Sequence, residues 1–199
     1  MAKTVSPRGQ ARGRVLEAAL ALYTERGVSG TSLQMIADRV GVSKASVYYQ
    51  FQSKDDIAMT VIRPVFEDIE RVVRIAEALP THEARRAVAF SGVIELVVRH
   101  RHITRVFYGD PAVGRLLEDH QDYKEAGDRL SELLAGSDAG VTSRVAVSVL
   151  VSGIFHSAAD PDLSDLDDAQ LRTALLECSH RMVSTIGADL DAPSPRAGF

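Results

Sequence analysis

Residues 31–54 read TSLQMIADRVGVSKASVYYQFQSK, and this stretch decides which fold the sequence predicts. Apolar side chains recur there at the spacing of one helical face, which predicts a short amphipathic helix. They are Leu33, Ile36, Ala37 and Val40. Thr31 and Gln34 have capping-box spacing at its start, and Gly41 suits the left-handed residue that follows a helix end. Ser43 is a good N-cap for a second short helix.

Two short helices joined by a glycine turn are typical of a helix-turn-helix, whose second helix enters the major groove of DNA. In the second predicted helix, over residues 44–51, Val47 and Phe51 lie one turn apart and can anchor it to a core. Its other faces carry small or polar side chains, namely Lys44, Ala45, Ser46 and Gln50. The pattern therefore predicts a polar surface that reads DNA.

The chemistry of these outward side chains suits DNA. The hydroxyl of Ser46 can donate to or accept from several base edges, and Gln50 can pair with adenine through two hydrogen bonds. Ala45 can touch a thymine methyl group. Tyr48 and Tyr49 are long enough for their hydroxyls to reach phosphates.

Charge is divided unevenly along the chain. The formal net charge is −4, but residues 1–54 carry eight basic and three acidic side chains, against 15 and 24 in residues 55–199. Such asymmetry is typical of a small module that faces a polyanion. Lys54 is predicted at the start of a fourth helix, where free amides already favour an anion. A basic N-terminal arm is predicted to reach DNA or to stay solvated, with Lys3, Arg8, Arg12 and Arg14.

The rest of the chain predicts helices, because no segment alternates with a period of two. The first helix is predicted over residues 10–26, and Pro64 should bend or divide the fourth. Later helices are predicted over residues 81–99, 102–108, 111–135 and 142–159, followed by a last helix that Gly187 ends. Cys178 lies on an apolar stripe of that helix and is predicted to be buried. The predicted fold class is all-α.

Spacing alone leaves other classes of protein open. A helical protein–protein adaptor could use the same two helices as a structural corner, and an enzyme could have a helical body. The sequence has no nucleophile elbow, phosphate loop or triad pattern. The six histidines lack metal-site spacing, so no metal and no cofactor is expected. No long apolar run is present, which predicts a cytoplasmic protein.

The segment VGVSKASVYYQFQSKDDI, residues 40–57, closely resembles the signature of the TetR family of bacterial transcriptional regulators. The first predicted helix, VLEAALALYTERGVSGTSL, is similar to that family as well, so the likeness covers about residues 10–57. The resemblance implies an all-α fold, a homodimer, a palindromic operator and a small-molecule effector. It favours a ligand-responsive repressor over the adaptor or the enzyme.

By the same resemblance, the family's DNA-facing positions fall on nine residues of this chain: Gln34, Ser43, Lys44, Ala45, Ser46, Tyr48, Tyr49, Gln50 and Lys54. Gln50 departs from the family, which often has His or Tyr there, so the base preference at this position stays open. The predicted DNA-binding domain is residues 1–54, with three helices and the basic arm. Helix 4 joins it to a ligand-binding and dimerisation domain, residues 55–187, and residues 188–199 are predicted to form a frayed tail.

The effector pocket is predicted among large side chains in the middle of the C-terminal helices, which could also be plain core. They are Phe90, Phe107, Tyr108, Tyr123, Phe155 and His156. The last two helices are predicted to pack closely across a dimer, because they carry Gly153 and the small residues Ser148, Ser152 and Ser157.

Overall fold

The computed structural model describes residues 7–108, 110–136 and 139–190, with side chains from residue 9 to residue 181. Within them lie ten α-helices and no strand, which confirms the predicted all-α fold class. The helices are α1 (Pro7–Arg26), α2 (Leu33–Val40), α3 (Lys44–Tyr48), α4 (Lys54–Glu77), α5 (His82–Arg99), α6 (Arg101–Phe107), α7 (Pro111–Glu118), α8 (Gln121–Ala135), α9 (Val141–Ala159) and α10 (Asp168–Leu190). A 3₁₀ turn, Pro161–Leu163, lies between α9 and α10.

The chain forms two compact units, each made of two stretches of sequence. The first contains Met1–Arg71 and His100–Asp128, and the second contains Val72–Arg99 and Arg129–Phe199. Helix α4 therefore contributes residues to both units. The division by function, with a DNA-binding domain over residues 1–54, stays a prediction.

The core of the first unit joins α1, α2 and α3. The apolar stripe of α1 is buried at Val15 and Ala19, and Ile36 of α2 and Val47 of α3 are fully buried beside it. Because each short helix buries only one face, none of the three has a core of its own. Their helical structure depends on packing against one another.

Helices α6 and α7 attach to the end of α1 within the same unit. The rings of Tyr23 and Phe107 meet edge to face, with centroids 5.8 Å apart. The carboxylate of Asp110 accepts hydrogen bonds from the amide of Val28 at 3.2 Å and from the amide of Ala112 at 2.8 Å. Asp110 thus caps α7 and also fixes the loop that leads from α1 to α2.

The second unit is built around α5, which contacts α9 and α10. The face of α5 toward the core is almost entirely apolar, with Val93 and Val97 buried. Leu150 of α9 and Leu171 of α10 are buried as well. Arg172 of α10 forms an ion pair with Glu95 of α5, with Nε and Oε2 2.6 Å apart.

Among the described helices, only α9 is long and apolar enough to cross a membrane by length and composition, which is weak evidence for such a role.

Two predicted helix boundaries are wrong at capping residues. Ser32, and not Thr31, is the N-cap of α2, because the hydroxyl of Ser32 accepts the amide of Met35. Thr31 is buried, and its hydroxyl donates to the carbonyl of Gly27 at 2.9 Å. In α10, Gly187 does not end the helix, which runs on to Leu190. Glycine in a helix costs only about 1 kcal/mol relative to alanine.

The structure also corrects the predicted lengths of two other helices. Pro64 does not divide α4. The proline lies on the exposed side of the helix, whereas Val61 and Val65 are buried and pack in the core. The single helix predicted over residues 111–135 is two helices, α7 and α8. Residues 118–122 are all polar or charged, so no apolar face supports a helical turn there.

Cys178 is exposed on α10, so the prediction that it is buried is wrong. The helix places Leu171 and Leu175 in the core one turn apart, and Ser179 continues that buried face. Cys178 lies next to this face and points away from it. The predicted frayed tail falls at residues 188–199, most of which lies outside the described residues.

Candidate nucleic-acid interface

The turn between α2 and α3 is fixed by backbone geometry. Gly41 has a φ of 77° and a ψ of 37°, and its amide donates to the carbonyl of Ala37 at 2.9 Å. The amide of Val42 donates to the same carbonyl at 3.0 Å. Residues with a side chain rarely adopt this left-handed conformation, so glycine is needed to end α2 and redirect the chain. The hydroxyl of Ser43 then accepts the amide of Ser46 at 3.1 Å and caps α3.

Helix α3 ends at Tyr48, so it is shorter than the helix predicted over residues 44–51, and this segment is anchored on one face only. Val47 and Phe51 are at most 1% exposed, as their spacing predicts. The residues between and before them are exposed: Ser43, Lys44, Ala45, Ser46, Tyr48 and Tyr49. The structure therefore brings six of the nine predicted DNA-facing residues together on one short, accessible segment.

The two tyrosines differ in how they are held. Tyr49 is 82% exposed, and Tyr48 is 49% exposed. The ammonium of Lys44 lies 5.6 Å from the centroid of the Tyr48 ring, within the range of a cation–π contact. This contact keeps a positive charge and a phenol hydroxyl close together on the open side of α3, where both are suited to phosphate oxygens.

The two polar side chains among the predicted base-reading residues, Ser46 and Gln50, make internal hydrogen bonds. The hydroxyls of Ser43 and Ser46 are 2.8 Å apart. The amide nitrogen of Gln50 donates to the carbonyl of Ser46 at 3.4 Å, and among the described residues its amide oxygen is buried without a partner. Gln50 is half-buried, so its side chain must turn outward before it can pair with a base.

The remaining two predicted contacts lie on other elements. Gln34 is exposed on α2 and donates to Asp38 at 2.7 Å, which holds its side chain along the helix. The ammonium of Lys54 donates to the carbonyl of Val28 at 2.9 Å, so this lysine also ties the start of α4 to the loop after α1. An ammonium has three donors, which leaves Lys54 able to bind a phosphate as well.

Two arginines of the predicted basic arm hold the helix-turn-helix together, a role that the sequence analysis missed. The guanidinium of Arg12 donates to the carbonyl of Gln50 at 2.8 Å and lies 4.1 Å from the centroid of the Phe51 ring. Arg14 donates to the carbonyl of Val40 at 2.9 Å. Both satisfy carbonyls at the ends of short helices, which lack partners within the helix. The sequence contained one signal for this structural role, because both arginines lie one helical turn before buried residues of α1.

The ionisable groups of Tyr23 and Glu25, near the interface, have shifted pKa values. Burial, and next the negative charge of Asp55, raise the pKa of the Tyr23 phenol far above its ordinary value, so this hydroxyl stays protonated. The hydrogen bond from Arg39 lowers the pKa of Glu25. The Arg39–Glu25 ion pair, 2.6 Å long, joins α2 to α1.

The predicted effector-binding residues fall in both compact units. In the first, Phe107 packs on Tyr23, Tyr108 is exposed, and Tyr123 stacks on the ring of Phe66 at 4.1 Å between centroids. In the second, Phe155 is half-buried and His156 is exposed on α9. Of the six, Phe90 alone lines the cavity of about 560 Å³ in the second unit. The other lining residues were not predicted.

Comparison with known proteins agrees with this geometry. Residues 15–59 match the family model described as bacterial regulatory proteins, tetR family. The HTH-type transcriptional repressor KstR2 of Mycobacterium tuberculosis is 27% identical over 157 residues, which cover 78% of this chain and 72% of the relative. The HTH-type transcriptional activator FasR of Mycolicibacterium smegmatis is 34% identical over 80 residues, covering 40% of this chain and 36% of FasR.

The fold is also shared. The structure of the ketosteroid transcriptional regulator KstR2 of Mycobacterium tuberculosis superposes with a TM-score of 0.65 at 18% identity, covering 87% of this chain and 93% of that one. The matched residues 15–59 contain α2, the Gly41 turn and α3, with the exposed face described above. Residues 15–59 of the chain match the tetR family of bacterial regulatory proteins, and the chain is a DNA-binding transcriptional regulator and not an enzyme.

Proposed function

We propose that this regulator is a repressor that binds a palindromic operator as a homodimer and responds to a small-molecule effector. The observation that carries the DNA-binding part is the one-sided anchoring of α3. Val47 and Phe51 fix the helix from behind, while its polar residues face outward. A helix held in this way can enter a major groove without losing its own packing. A structural corner in an adaptor would not need an exposed Lys44 and Tyr49.

The contacts of this surface divide into two kinds. Lys44, Tyr48, Tyr49 and Lys54 are suited to phosphates, and such contacts position a protein on DNA without reading sequence. Ala45, Ser46 and Gln50 are suited to base edges, which supply specificity. Gln34 and Ser43 lie where the backbone of DNA would pass the start of α2 and α3.

The homodimer would place two copies of α3 about one helical turn of DNA apart. Support for an interface comes from α9, whose apolar residues Val141, Val145 and Val149 are 56% to 76% exposed. Ser152 and His156 continue the same stripe and are exposed as well. An exposed apolar stripe of this kind marks an interaction surface, and its small residues permit close approach of a second helix.

An effector could act on DNA binding through α4, because this helix belongs to both compact units. Its first residue, Lys54, is bonded to the loop after α1, and its last turns lie in the unit with the cavity. A ligand shifts such an equilibrium only by its difference in affinity for the two states. A coupling of about 1–3 kcal/mol is typical. A repressor that works in this way is a soluble, cytoplasmic protein.

The test is a gel shift on DNA from upstream of the protein's own gene, with Lys44→Ala as the diagnostic variant. The wild type should give a specific complex that weakens by about a decade or more between 50 and 200 mM salt. Lys44→Ala should weaken specific and nonspecific DNA alike and reduce the salt slope by about one. Arg74→Ala, an exposed arginine of α4 in the second unit, is the matched control and should change neither.

Ser46→Ala tests the base-reading part of the proposal. It should change the ranking of operator variants while leaving nonspecific affinity unchanged. A wild-type complex without salt dependence or sequence preference would contradict the proposed function.

A further inference from the structure

The second unit contains a cavity of about 560 Å³, within the usual range of small-molecule sites. Helices α5, α8 and α10 form its walls. The residues that matter for its chemistry are His82, Arg86, Phe90, Ile94, Leu133 and Leu176. On α5, the lining residues follow one helical face, since His82, Arg86, Phe90 and Ile94 are four residues apart. One end of this face is basic and the other is apolar.

The apolar end of the cavity continues into a groove of about 320 Å³. The two share Ser91, Ile94 and Leu176, and the groove extends to Val72 and Ile75 at the end of α4. Ile75 is 53% exposed and Leu176 is 41% exposed, so the groove presents two large apolar side chains to solvent. Cavity and groove together form an elongated apolar path along α5.

The basic end of the cavity is formed mainly by Arg86. Arg86 lies over the ring of Phe90, with its guanidinium carbon 5.7 Å from the ring centroid. No carboxylate among the described residues lies within ion-pair distance of the Arg86 guanidinium. Glu83 also lines the cavity, but it does not form an ion pair with Arg86. His82 and His180 line the same end. A guanidinium that already rests on an aromatic ring is held in place to bind an anion with its outer N–H groups.

We propose that this cavity binds an elongated apolar molecule with a terminal carboxylate, whose head group pairs with Arg86 and whose body follows Ile94 and Leu176. The inference rests on the effector-binding part of the proposed function and names the chemical class of the effector. A carboxylate fits the planar fork of the guanidinium through two hydrogen bonds. The apolar body supplies most of the affinity, because it removes the exposed surfaces of Leu176 and Ile75 from water.

The experiment is isothermal titration calorimetry of the full chain with four probes: decanoate, butanoate, decan-1-ol and decylammonium. Decanoate should bind most tightly. Butanoate should bind at least tenfold more weakly, because it buries fewer methylene groups. Decan-1-ol should bind about fivefold to tenfold more weakly than decanoate, because it lacks the charge. Decylammonium should bind more weakly than decan-1-ol.

Three variants assign the binding to this cavity. Arg86→Gln should remove the preference for decanoate over decan-1-ol while leaving the affinity for decan-1-ol unchanged. Ser91→Phe, at the junction of cavity and groove, should weaken both probes at least tenfold, and Ala87→Phe on the same lining face is a second variant if the first does not fold by circular dichroism. Arg74→Gln, outside the lining, is the matched control and should bind like the wild type.

The inference is overturned if decanoate does not bind, if decylammonium binds as well as decanoate, or if Arg86→Gln keeps the preference for decanoate. A gel shift on the same protein separates this failure from failure of the proposed function. Intact DNA binding without decanoate binding overturns the effector class only. Decanoate binding without DNA binding would overturn the repressor and leave the ligand site standing.

Discussion

At the scale of single residues, the exposed face of α3, which we call the reading surface, is formed by some side chains and held in place by others. Lys44 and Tyr49 lie on the open side of α3, whereas Arg12 lies behind it and bonds to the carbonyl of Gln50. Counting charges predicts only that the cations of the basic arm reach DNA or stay solvated, because a sequence pattern does not distinguish a cation that faces solvent from one that caps a helix. The structure makes Arg12 a stabilising residue.

Arg12→Ala should therefore lower the free energy of unfolding by about 1–2 kcal/mol. It removes a charge-assisted hydrogen bond to Gln50 and a cation–π contact with Phe51. Urea unfolding followed by circular dichroism measures the change. Arg26→Ala, an exposed arginine at the end of the same helix, is the control and should change stability by less than about 0.5 kcal/mol. Equal effects of the two substitutions would contradict the stabilising role of Arg12.

At the scale of elements, the helix ends decide the geometry of the reading surface. Gly41 ends α2 in a left-handed conformation, and Ser43 begins α3 two residues later. The sequence predicted both residues in these roles, because glycine and serine at such positions have local physical reasons. It misplaced the start of α2, since Thr31 and Ser32 are both good caps and only burial of Thr31 decides between them.

Glycine substitutions test this reasoning with one chemical change at two positions. Gly41→Ala should destabilise the protein by about 1–2 kcal/mol, because alanine is strained at a φ of 77°. Gly13→Ala should stabilise it by about 0.5–1 kcal/mol, since Gly13 lies inside α1 and a methyl group there meets open space. Thermal unfolding followed by circular dichroism gives both values. Destabilisation by both substitutions would show that the methyl group, and not the backbone conformation, is responsible.

At the scale of the whole molecule, the proposed dimer depends on the exposed stripe of α9. Val149 is 58% exposed at the centre of that stripe. Val149→Glu should convert the dimer into a monomer, because a buried unpaired carboxylate at an interface is strongly unfavourable. Light scattering coupled to size-exclusion chromatography measures the mass. The loss of the dimer should also abolish tight operator binding.

Ala78→Glu adds the same charge at an exposed position outside α9 and should leave the mass unchanged. A wild-type chain that is monomeric at micromolar concentration, or a Val149→Glu variant that stays dimeric, would contradict an interface on α9.

The sequence by itself determined the all-α class, the helix-turn-helix and the resemblance to the tetR family, because the residues that specify them interact within a few positions. Val47, Phe51 and Gly41 have roles that helical periodicity and backbone conformation fix locally. Only the tertiary structure decided which cations cap helices, and that Phe90 and Arg86 share a cavity with residues of α10. These features join residues far apart in the chain, and periodicity along one helix holds no information about which partner its face meets.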